Sequence, residues 1–178
     1  LSASFQADED GLDHQIPVKP GIPGPEGLIS DKQFAEAYAS KAPAAVRSYF
    51  ENDRPVELKP VSLTHFLTRE KLPPEQHVWF RMTGVVPDDR AIQAALMAYV
   101  SDMTLLDATL YPHGRSVFDG TIQAASLDHS MWFHRPNRMD DWMLYTQDTP
   151  NASGGRGFAR GAFYTRDGEL VCSMAQEG

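Results

Sequence analysis

Between Val86 and Leu110 the chain reads VPDDRAIQAALMAYVSDMTLLDATL. Ile92, Leu96, Val100, Met103, Leu106 and Leu110 recur there at three- and four-residue steps. That periodicity predicts one long, mostly apolar helix over 87–110, largely buried. Pro87 suits its first position, and Asp88 and Asp89 suit its first turn, where the helix dipole favours negative charge. Pro112 and Gly114 stop it. Asp102 breaks the pattern, because its neighbours on the helix surface are Ala98, Tyr99, Leu105 and Leu106. An unpaired buried carboxylate is costly, so Asp102 needs partners or a raised pKa. The plainer alternative is a capped or solvent-reaching carboxylate near a helix bend.

The other segments alternate with period two. Val78, Phe80 and Met82 against His77, Trp79 and Arg81 predict a half-buried strand over 77–83. Val56, Leu58, Val61, Leu63 and Phe66 predict an extended segment interrupted at Pro60. Four strand-like runs follow the helix: Thr121–His134, Trp142–Gln147, Arg156–Thr165 and Glu169–Gln176. Arg166-Asp167-Gly168 is a tight-turn sequence that joins the last two as a hairpin, and 151–155 is a flexible connection between the second and third. Upstream, Leu1–Gln6 is short enough to be one strand. Ala7–Leu28 is rich in Pro and Gly and reads as an extended linker. Ser30 or Asp31 can cap a helix over about 32–40, and a second short helix is expected over 44–50 after Pro43. One apolar helix followed by antiparallel strands predicts an α+β fold, with a sheet curled around one central helix in the hotdog arrangement.

Length and charge narrow the function. A chain of 178 residues fits one domain with an attached linker. A net charge of −8, with no Lys/Arg cluster, argues against a nucleic-acid surface. No apolar run approaches the ~20 residues of a membrane span. The single cysteine, Cys172, rules out an internal disulfide and fits a reducing compartment, so a cytoplasmic location is expected. Cys172 alternates with Leu170 and Met174, as a buried structural cysteine does. His129 and His134 are five apart on one expected strand and point to opposite faces; no metal-ligand spacing occurs. There is no GxSxG elbow, and GGRG at 154–157 is too short for a nucleotide fingerprint, so neither a metal nor a cofactor is expected.

Gln176 shares the expected face of Leu170, Cys172 and Met174, which aims its amide at the helix. Ser126 is expected mid-strand between Ala124 and Asp128; on packing alone it is a small residue set against the helix. If Asp102, Ser126 and Gln176 meet, a carboxylate, a hydroxyl and an amide can hold one water and remove its proton.

Several longer stretches sharpen this reading. SLDHSMWFHRP (126–136), DWMLY, GGRGFARGAFYTRDG (154–168) and the terminal AQEG resemble the acyl-CoA thioesterase II family. So do ASFQ…HQ near the start, DRPVE (53–57), VPDD and YVSDMTLL. The resemblance covers nearly the whole chain. It implies a double hotdog that hydrolyses fatty acyl-CoA to free acid and CoA, as part of fatty acid metabolism. It implies catalytic roles for Asp102 in the S-D-x-x-x-L stretch, for Ser126 two positions before the DHSMWF run, and for Gln176 in the Gln-Glu-Gly ending. Ser126 stands where some members carry Thr, and Asp128 is expected to be structural. Size is the departure. Residues 54–178 look like the second hotdog, 7–53 like the interdomain linker with short helices, and 1–6 like the last strand of a first hotdog otherwise missing from this sequence. LSASFQ echoes VCSMAQ (171–176), as an internal repeat would. The expected partners are acyl-CoA and either an N-terminal hotdog half or another copy of the chain, giving a homo-oligomer. In a eukaryote the peroxisome is the alternative location, although no C-terminal signal for it is visible. The alternative is a non-catalytic acyl-CoA-binding or assembly half, active only with the N-terminal hotdog. A hotdog hydratase fits less well, because its Asp-x-x-x-x-His spacing is absent; Asp102 is followed at that distance by Asp107.

Overall fold

The computed structural model describes residues 1–38 and 54–178. The second short helix expected over 44–50 lies outside the described residues. Helix α1 (Asp31–Tyr38) is capped by Ser30: Gln33 N donates to Ser30 Oγ, and Ser30 N donates to Gln33 Oε1. Strand β1 (Val56–Pro60), helix α2 (Thr64–Leu67), strand β2 (Glu75–Met82) and helix α3 (Arg90–Ser101) follow. After two short 3₁₀ turns come β3 (Ser130–Phe133), β4 (Met143–Ser153), β5 (Arg156–Thr165) and β6 (Leu170–Glu177). The strands form one antiparallel sheet in the order β1-β2-β4-β5-β6-β3. Its inner face packs on α3, which is the hotdog arrangement the patterning predicts. Val78, Phe80, Tyr145, Phe163, Met97 and Val100 form the centre of that core.

The central helix is shorter than its periodicity predicts. It begins at Arg90, with Asp89 as N-cap accepting from Ala91 N and Ile92 N, so Pro87 and Asp88 precede it. It ends at Ser101. Tyr145 Oη donates to the Ser101 carbonyl at 2.7 Å, taking the acceptor that another helical turn would have used. Beyond it, 3₁₀ turns set the packing, and Leu105, outside the predicted stripe, is fully buried. Nor is the helix buried on nearly all sides: Ile92 and Tyr99 are 40% and 45% exposed. Gln93, Met97, Val100 and Ser101 form the buried face.

Several strand expectations need correction. Only Ser130–Phe133 of the run 121–134 is strand; Ser126 lies in the preceding loop, and His129 and His134 flank β3. Phe66 is in α2. The β4–β5 hairpin is tighter than a five-residue loop, turning on Gly154 and Gly155, both at positive φ. A register shift in the β5–β6 pairing breaks the expected face of β6. Leu170 packs on the outer face with Trp79, Leu144 and Tyr164, whereas Cys172 packs inside. That outer face is covered by the extended segment around Val18, Ile22 and Leu28, and Trp79 Nε1 donates to Pro23 O at 2.8 Å. Leu1–Gln6 forms no strand in this sheet and is exposed.

Candidate active site

Three elements bring the site together. Asp102 is the C-cap of α3. Gln176, fully buried, lies on β6. Ser126 comes from the loop before β3, and that loop is clamped to β6. Leu127 N donates to Glu177 O at 2.8 Å, and Glu177 N donates to Asp128 Oδ1 at 3.0 Å. Asp128 thus has the structural role expected of it.

Gln176 joins the other two. Its Nε2 donates to Asp102 Oδ1 at 2.9 Å and to Ser126 Oγ at 2.5 Å, and Ser126 Oγ donates to Asp102 Oδ1 at 3.2 Å. The carboxylate that interrupted the apolar helix has its partners, and it is also the solvent-reaching residue at a helix end that the plainer reading described. All three predicted site residues converge, although Ser126 does so from a loop. Asp102 Oδ2 has no protein partner among the described residues. The residue that sequence reasoning missed is His129. Its Nδ1 lies 2.5 Å from Gln176 Oε1, and its Nε2 lies 2.8 Å from Ser101 Oγ.

Asp102 and Ser126 open into a cavity of about 470 Å³. Leu58, Phe66, Val78, Leu106, Phe118 and Ile122 give it apolar walls. Asp107 and His65 also line it. Burial pushes the Asp107 carboxyl up to about 7 and the His65 imidazole down to about 4, since both lose water around their charged forms. Tyr111, stacked on His65, has its phenol raised by burial and by the charge of Asp107, and it donates to Gln76 Oε1. Burial also pushes the Cys172 thiol up to about 12, which makes it a poor nucleophile. Among the described residues no three His, Cys, Asp or Glu side chains converge to hold a metal ion, and no helix is long and apolar enough to cross a membrane.

A carboxylate with one free oxygen, beside a hydroxyl and at the mouth of an apolar cavity, can take a proton from a bound water. Comparison with known proteins shows the family to which these residues belong. The acyl-CoA thioesterase family profile matches residues 45–178. Acyl-CoA thioesterase 2 of Haemophilus influenzae is 35% identical over 100% of this chain and 62% of its own length. Human acyl-coenzyme A thioesterase 8 is 34% identical over 99% of this chain and 57% of its own. The crystal structure of an acyl-CoA thioesterase II from Mycobacterium marinum superposes with a TM-score of 0.69 at 31% identity, covering 97% of this chain and 58% of that one. A hot dog protein from Alicyclobacillus acidocaldarius, at 15% identity and TM-score 0.63, shares the fold. The chain spans about three fifths of the length of these relatives: 62%, 57%, 58% and 57% in turn.

Proposed function

We propose, from the premise that this chain belongs to the acyl-CoA thioesterase family, that it hydrolyses fatty acyl-CoA through a water activated by Asp102. The observation that carries this reading is the Gln176 amide bonded to both Asp102 and Ser126 at the edge of an apolar cavity. The acyl chain lies against the apolar walls, which hold its methylenes away from water. Ser126 Oγ and the free Asp102 Oδ2 hold the water. Asp102 takes its proton as the oxygen attacks the thioester carbon. The tetrahedral adduct collapses, the C–S bond breaks, and the proton held on Asp102 goes to the departing sulfur. Free acid and CoA result. No acyl-enzyme is needed, because among the described residues Ser126 has the Asp102 carboxylate and the Gln176 amide beside it and no triad-type base.

The domain reading belongs to this proposal. Residues 54–178 are the second hotdog of a pair, 7–53 the connection, and 1–6 a strand of the first. The other hotdog of the pair, from an N-terminal half or from another copy in a homo-oligomer, completes the acyl-CoA site. Support comes from β3, the last strand in the sheet order, where Trp132 and Phe133 are 54% and 51% exposed. The same edge favours a second reading, in which this chain is a non-catalytic acyl-CoA-binding half and turnover belongs to the assembled pair.

The test is release of free CoA thiol from saturated acyl-CoAs of graded length. It is run with this chain alone, and again with the chain joined to an N-terminal hotdog. Turnover by the joined form that is lost in Asp102→Asn is the expected result. Turnover by the joined form that survives Asp102→Asn supports the non-catalytic reading. No hydrolysis of any acyl-CoA by either form overturns the proposal.

A further inference from the structure

The orientation of the Gln176 amide decides whether the site works, and the side chain of Gln176 does not fix it unaided. A carboxylate only accepts hydrogen bonds, so the end of the amide facing Asp102 is Nε2. Oε1 then faces the other way, 2.5 Å from His129 Nδ1. A carbonyl oxygen cannot donate, so the proton in that contact sits on Nδ1. The far nitrogen of the ring, Nε2, lies 2.8 Å from the hydroxyl of Ser101, which is fully buried and precedes Asp102 in the chain. The contacts close a ring: Asp102 to Gln176, Gln176 to His129, His129 to Ser101, and Ser101 back to Asp102 through one peptide bond.

We infer that His129 is a positioning residue for the proposed hydrolysis, donating from Nδ1 to Gln176 Oε1 so that the amide keeps its N–H groups on Asp102 and Ser126. The inference rests on the reading of Asp102, Ser126 and Gln176 given above. Without a donor at Nδ1, the amide can turn over and set its oxygen against the carboxylate, so that Ser126 and Asp102 lose the donor that joins them. Ser101 Oγ, which also lies 2.8 Å from the Ala98 carbonyl, holds the imidazole from behind and fixes the ring plane. Residue 129 reaches Gln176 because β3 pairs with β6 in the register Ser130↔Ala175, which brings the preceding residue opposite Gln176.

The experiment has two arms. Imidazole ¹⁵N shifts of the whole chain, with the His129 signals identified by their loss in His129→Asn, report which ring nitrogen carries hydrogen. Protonated Nδ1 is expected; a bare Nδ1 overturns the inference whatever the activity. The second arm compares His129→Asn with His129→Asp in the form that turns over acyl-CoA. The two side chains have nearly the same shape, but only Asn offers an N–H where Nδ1 stood. The Asn variant is expected to keep most of kcat. The Asp variant is expected to lose about 10²-fold in kcat with little change in KM, the scale for misplaced catalytic groups. Equal kcat in the two variants overturns the inference. If both variants misfold, the ¹⁵N result on the unsubstituted chain decides. Protonated Nδ1 without hydrolysis of acyl-CoA by either the chain alone or the joined form upholds the geometry and rejects the activity.

Discussion

The hydroxyl of Tyr145 donates to the backbone carbonyl of Ser101 at 2.7 Å, tying the start of β4 to the end of the helix that presents Asp102. Both groups are buried, so removing the hydroxyl leaves a carbonyl with no donor in its place. Tyr145→Phe should cost about 1–3 kcal/mol, the penalty for stranding a buried acceptor. Urea unfolding checks this, and the midpoint should fall with the slope unchanged.

Gly161 makes room for that tyrosine. A Cβ at Gly161 would sit 2.5 Å from Tyr145 Cε2 and 2.6 Å from Met174 Sδ. The glycine is required by close approach rather than by backbone conformation, since its φ is not positive. Gly161→Ala should destabilise by about 1–3 kcal/mol through overpacking. Thermal unfolding reads the loss. A variant as stable as the parent would mean that the Tyr145 ring can move aside without cost.

Asp107 gives a pH signature. Its carboxyl is pushed up to about 7 in the folded chain, whereas in the unfolded chain it titrates near ~3.9. Between those values the folded state binds more protons than the unfolded state, so this residue's contribution falls as pH rises from about 4 to about 7 and is level above that. Asp107→Asn removes the slope. The variant and the parent should differ little near pH 4, and the variant should be the more stable at pH 8. The ceiling is roughly 4 kcal/mol, at about 1.4 kcal/mol per pKa unit. Denaturant titrations of both proteins across that range test it, and parallel curves would show that Asp107 is not penalised by folding.

Local periodicity carried most of the strands. β2 and β5 occupy the segments that their alternation marks, and the Arg166–Gly168 turn joins β5 to β6. What was not legible came from elsewhere in the chain. Neither Pro nor Gly intervenes between Ser101 and Tyr111, so nothing local announces the end of α3; the Tyr145 bond that ends it comes from a residue 44 positions away. Alternation in 121–129 resembles a strand, but the loop's amides at Leu127 and Asp128 go to a single carbonyl, that of Glu177, instead of to a ladder. The inward face of β6 was legible for Cys172, Met174 and Gln176, and failed at Leu170 because a register shift leaves no sequence mark. Asp102 stood out as a charge on an apolar stripe. His129 did not, because its partner is defined only by the pairing of β3 with β6; Ser130 opposite Ala175 was the signal that could have found it.

The last prediction concerns the base itself. Asp102→Asn keeps an oxygen that can accept from Gln176 Nε2, so the ring of hydrogen bonds can persist while the group that takes the water's proton is lost. In the form that turns over acyl-CoA, kcat should drop about 10²–10⁴-fold with KM little changed, as expected for removal of a positioned base. Ser126→Ala should cost less, because Asp102 Oδ2 can still take the proton while the water has lost one of its two holders. The order of the two effects matters more than either size. A nucleophilic Ser126 would reverse it, and intact-protein mass spectrometry of the Asp102→Asn variant mixed with substrate would then find an acyl group on Ser126. An unmodified mass together with the larger loss at Asp102 is the outcome expected of direct attack by water.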